Sequence, residues 1–150
     1  MSATPRKARR SRQTLRLWAF DQAQAVVPYL SSIVRSLREH ALHIQNLRRH
    51  LESLESRPGR PDRQMLIQLE EVKRDLLRAE DEYASAEAEL EALDVQLLDP
   101  FKGQALVPFV HDEQLAWYIF DLHDSQPIRS WRYQSDPDET RRKLTAAQMR

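Results

Sequence analysis

The sequence predicts a helix-rich α+β fold: a long antiparallel helical hairpin, coiled-coil-like in its seam, with a small antiparallel β meander packed at its open end. Three observations predict it. Apolar residues recur at alternating steps of three and four through residues 22–57 and 62–94, the spacing that holds one helix stripe against a partner. Arg57, Pro58, Gly59, Arg60 and Pro61 break the pattern between the two runs. From Val95 the period changes from helical to alternating.

The first stripe is Ala23, Val26, Leu30, Ile33, Leu37, His40, Ile44, Leu47, Leu51 and Leu54. The second is Met65, Leu69, Val72, Leu76, Ala79, Tyr83, Ala86, Leu90 and Leu93. A chain of 150 residues suits one domain, read here as residues 14–134 with the hairpin at 22–94 and the β module at 95–134. Charged residues make up 31% but cancel to zero net charge, so the total names no partner. With no cysteine, disulfides and thiolate chemistry are excluded. Two glycines leave no material for a glycine-rich phosphate loop. No apolar run reaches the ~20 residues of a membrane span, and no apolar signal core opens the chain. A cytoplasmic protein without a membrane partner is the expectation.

Taken in order, residues 1–13 form a basic tail with Arg6, Lys7, Arg9, Arg10 and Arg12 and nothing acidic. Such a segment buries too little to order itself. It is either a solvated tail or a phosphate contact. Residues 14–20 alternate like a short strand. Asp21 then has the form of an N-cap with Gln24 completing a capping box. Pro28 removes the hydrogen bond to the Gln24 carbonyl, so a kink is expected there.

Val27, Val34 and Ala41 widen the first stripe over its N-terminal half. A wider stripe needs a second packing partner, most simply the β module across the open end of the hairpin, with a second copy of the chain as the alternative. His40 makes a polar layer in the seam, opposite Leu76 or Ala79. His43 and His50 lie nearby, but their spacing from Glu39 matches no metal motif, and no metal or cofactor is expected. The second helix opens near Pro61 and Asp62. Its end is acidic (Glu80, Asp81, Glu82, Glu87, Glu89, Glu91, Asp94), which opposes the helix dipole. Residues 6–16 could shield that face.

Ala105, Val107 and Phe109 face one side of a first strand, with Leu106 and Val110 on the other. Pro108 marks an edge or a bulge. Leu115–Phe120 and Ile128–Tyr133 supply two more strands. Trp117, Tyr118, Trp131 and Tyr133 are either core or an exposed aromatic surface. Asp136-Pro137-Asp138-Glu139 caps an expected short helix within residues 135–150.

The order of parts resembles an uncharacterised bacterial family catalogued as domain of unknown function 2203. Phe20-Asp21 leading into Val26-Val27-Pro28, then Leu98-Asp99-Pro100-x-x-Gly103 and Ile128-x-x-Trp131, carry the resemblance over roughly residues 18–133. Members usually have Gly-Glu ahead of the last motif and a histidine after its tryptophan. Here those places hold Asp124-Ser125 and Arg132. The resemblance implies a bacterial cytoplasmic origin and no known activity.

An enzyme needs a nucleophile with a base, paired carboxylates in a cleft, or a metal site. No such set has usable spacing, so no catalytic, metal or cofactor-binding residue is assigned. The chain is read as a non-catalytic interaction or scaffold module, with a protein partner or a second copy of itself (a homodimer) meeting Val27, Val34, Ala41, Trp117, Tyr118, Trp131 and Tyr133. The alternative is nucleic-acid or ribosome association through the tail.

Overall fold

The computed structural model describes residues 15–149. Two helices, α1 (Phe20–Glu55) and α2 (Arg63–Ala92), form the hairpin. All nineteen stripe positions predicted above are buried or half-buried. The helix start differs from expectation. Ala19, not Asp21, is the cap, and its backbone N–H donates to Gln22 Oε1 at 3.0 Å. Alanine has no side-chain acceptor, so only this half of a capping box forms. Asp21 sits in the first turn, where a carboxylate favours the positive end of the helix. α1 runs without a break through Pro28, which lies on an exposed side. α2 is capped by Asp62, whose Oδ1 accepts from Met65 N at 2.8 Å.

The sheet is an antiparallel meander in chain order: β1 (Gln96–Asp99), β2 (Gln104–His111), β3 (Gln114–Asp121), β4 (Ile128–Tyr133) and β5 (Arg142–Lys143). The three expected strands are present as β2, β3 and β4. Two more flank them. β5 takes the place of the helix expected in 135–150: no residue from 135 to 149 is helical. Capping chemistry was outweighed there by tertiary contacts, because Arg142 pairs with Asp136 and Trp131 Nε1 donates to Lys143 O at 3.3 Å.

One face of the sheet packs on the open end of the hairpin. Leu30, Val34 and Leu37 of α1 and Ala86 and Leu90 of α2 share one core with Ala105, Val107, Phe109, Tyr118, Phe120, Ile128 and Trp131. On the other face Leu106, Trp117 and Ile119 form a small second core with Leu98 and Leu115. Alternation along β2 therefore sorts as predicted, and Val110 is exposed on the outer side.

Residues 15–19 are an extended clip rather than a strand. Trp18 N donates to Pro108 O at 2.8 Å, and Trp18 Nε1 donates to Leu93 O, an orphan carbonyl at the end of α2, at 3.1 Å. β1 pairs with β2 only from Gln104 to Leu106, so Pro108 lies beyond β1 on a local edge. Its carbonyl and its missing donor both point to the clip, away from β3, and no ladder bond is lost.

Candidate functional site

The seven residues expected to receive a partner are filled from within the chain. Val34, Tyr118 and Trp131 are buried in the main core, and Val27 and Tyr133 pack half-buried against it. Ala41 is also buried, and Trp117 is buried on the opposite face with Nε1 donating to Gln134 Oε1. Over Val27 and Val34 the wide stripe on α1 is covered by the β module, the intramolecular choice of the two left open by the sequence. Tyr118 stacks on Phe109 at 3.8 Å and meets the edge of Phe20 at 5.7 Å. Burial, with the Asp21 carboxylate adding to it, pushes the Tyr118 phenol up to about 12.

Beside this core, His111 contacts Trp131 edge-on at 4.7 Å, and the Arg142 guanidinium lies over Tyr133 at 4.9 Å and Trp131 at 5.4 Å. Asp136 takes Arg142 with two bonds of 2.8 and 3.0 Å and accepts from Tyr133 N at 2.9 Å. The Arg142 hydrogen bonds, then the Tyr133 N–H, hold the Asp136 carboxyl down at about 2. This group is satisfied internally and fastens β5 to β4.

Arg132 is buried on the outer face opposite Trp117. It donates to Tyr133 O at 3.2 Å and lies 3.6 Å from Asp138, while its Nε has no partner among the described residues. Here the side chain braces the loop after β4.

His40 sits at the margin of the seam rather than inside it, with Nδ1 3.6 Å from Glu82. Ala79 borders the same groove of about 410 Å³, together with His43, Glu39 and Asp75. Among the described residues no three His, Cys, Asp or Glu are placed to hold a metal ion. Arg6, Lys7, Arg9, Arg10 and Arg12 lie outside the described residues. Of the acidic end, Asp94 Oδ2 accepts from Arg16 N at 2.8 Å, Glu80 pairs with Arg48 at 2.9 Å, and Tyr29 reaches Glu89 at 3.4 Å.

A different surface stands open. The hairpin beyond Ile44 and before Ala79 carries no residue of the main core; it is an arm of two helices. On the outside of α2 in this arm, Leu66 is 54% exposed and Leu77 is 64% exposed, more than any other large apolar side chain among the described residues. Ile67 is exposed beside Leu66. A depression of about 350 Å³ there is lined by Arg63, Leu66, Ile67, Glu70, Glu71 and Arg74. The sequence reading passed over these residues because they fall off the main stripe. A second, weaker stripe of the same spacing was the signal available.

Residues 16–144 match the family described as an uncharacterised conserved protein, DUF2203. The chain belongs to that family. No curated protein and no solved structure matches it. In this DUF2203 chain the motifs that carry the resemblance are structural. Asp99 Oδ1 accepts from Phe101 N and Lys102 N at 2.9 and 3.1 Å, and Gly103 follows at φ +70 with Leu122 Cβ 2.9 Å from where its own Cβ would stand. Leu98-Asp99-Pro100-x-x-Gly103 is thus the β1–β2 turn. Ile128-x-x-Trp131 spans a register shift in β4 that keeps both apolar ends on the core face.

Proposed function

We propose that this DUF2203 chain is a non-catalytic protein-interaction module: the sheet and the proximal hairpin form the head, and the arm presents the outer face of α2 to another protein. The observation that carries the reading is the exposure of Leu66 and Leu77 on an arm where neither serves a core. Their burial in a complex would remove apolar surface from water at about 25 cal/mol per Å². A rim of Arg63, Glu70, Glu71 and Arg74 around Leu66 and Ile67 suits a protein surface of mixed charge. Among the described residues no helix is long and apolar enough to cross a membrane.

The test is photo-crosslinking in the native cell, with a photoreactive side chain at Leu77 in one strain and at Val110, also exposed but on the head, in another. A discrete adduct from position 77 and none from position 110 is the expected result. Absence of any adduct at 77 would sink the reading.

A further inference from the structure

On the outside of α2, Arg63, Leu66, Glu70, Lys73, Leu77 and Glu80 follow one another at steps of three and four, so they share one stripe. Arg63, Leu66, Glu70, Lys73 and Leu77 are exposed, and Glu80 is half-exposed. Arg63, Glu70 and Lys73 have no ion-pair partner among the described residues, and Glu80 holds Arg48 at 2.9 Å. The stripe has a property a single chain does not use. Reversed and laid on itself about a point between Glu70 and Lys73, it sets Leu66 against Leu77, Glu70 against Lys73 and Arg63 against Glu80. Every layer is then apolar on apolar or opposite on opposite charge.

We propose that the partner of this face is a second copy of the same chain, with the two α2 helices antiparallel across a twofold axis between residues 70 and 73. The inference rests on the interaction reading above and names its partner. An isologous contact requires a patch complementary to itself, and this stripe meets the requirement in each layer. A parallel pairing fails it, because Glu70 would face Glu70 and Lys73 would face Lys73. The fit along the axis is also good. The same register brings the partner's turn, residues 57–61, level with residues 82–86, where the arm ends and the main core begins, so the arms overlap over their length and the heads lie at opposite ends. Two leucine layers with flanking ion pairs make a small interface, so the dimer dissociates at roughly micromolar to millimolar concentration.

The test is the mass of the full-length protein in solution by sedimentation equilibrium, from low micromolar to about millimolar, at low salt where surface charges are least screened. Four proteins are compared: wild type, Glu70→Lys, Lys73→Glu, and the double exchange. Wild type should reach the two-chain mass at the upper end. Each single exchange sets like charges together in both symmetric pairs and should weaken association at least about tenfold. The double exchange restores the pairing and should restore the mass. An equal mixture of the two single variants should also reach the two-chain mass, because each supplies what the other lacks. A one-chain mass for wild type throughout, or a dimer indifferent to both single exchanges, would overturn the proposal. If wild type stays single while position 77 still crosslinks a different protein in cells, self-docking falls and the interaction reading stands. If neither occurs, both fall.

Discussion

Asp94 has φ +59 where α2 stops, a region that costs a non-glycine residue about 1–2 kcal/mol. Asp94 N donates to Glu91 O at 2.9 Å and Val95 N to Leu90 O at 3.3 Å, the paired bonds of a Schellman end that normally takes glycine. The carboxylate explains the exception, since Oδ2 accepts from Arg16 N and anchors the clip. Asp112 and Glu113, at φ +49 and +63, form the two-residue β2–β3 turn, where glycine is favoured at the second position. Among the described residues no side-chain hydrogen bond or ion pair offsets the strain at Glu113. Glu113→Gly should therefore stabilise the protein by about 0.5–1 kcal/mol, seen as a higher urea midpoint at unchanged slope. Asp136 gives a pH dependence. The Arg142 hydrogen bonds hold its carboxyl down at about 2 in the folded chain, below the ordinary carboxylate range, so its contribution to stability is present above about pH 4 and is lost as the pH falls towards 2. In Arg142→Gln that acid-side loss should shrink, measured as Tm against pH.

At the scale of elements, the helices were legible because burial imposes one spacing over long runs, and the three central strands because alternation sorted their faces. β1 and β5 were not. β1 is four residues long and β5 only two, too short for a period to show, and both are fixed by neighbours rather than by pattern. Residues 14–20 alternate, yet what holds the described part is Trp18 bonding the end of α2 and Pro108, which no local pattern announces. The wide stripe on α1 was read correctly as needing another partner, while the choice between the sheet and a second chain required the fold. That outcome changes what a substitution does. Val34 has no exposed surface, and Val34→Asp should cost more than about 3 kcal/mol by burying an unpaired carboxylate. The measurement is the far-ultraviolet circular dichroism melt. It should show lost folding, where a surface role would have left the melt unchanged. Leu66 and Leu77, the open surface, were not legible because each directly follows a residue of the seam, Met65 and Leu76, whose stripe dominates the pattern.

At the scale of the whole molecule, the chain is a head with two layers and an arm with one seam. In the head, α1 and α2 are covered by the sheet, and Leu30, Leu37, Leu90, Val107 and Phe120 are almost wholly buried. In the arm, Leu47, Leu51, Met65, Leu69 and Leu76 are only half-buried, and Ile44, Leu54, Val72 and Ala79 are the buried contacts left to it. Less apolar surface is removed from water per residue in the arm, and opening it leaves the head's core intact. Amides of residues 47–55 and 63–72 should therefore exchange with solvent by local opening at least about tenfold faster than those of Val107, Tyr118 and Phe120, which wait for global unfolding. Equal protection in arm and head would mean that the two unfold as one unit. The same experiment bears on assembly. A dimer formed through α2 stabilises only what opens with the arm, by mass action on the closed form. Raising the protein concentration should slow exchange in residues 63–72 and leave the sheet amides unchanged.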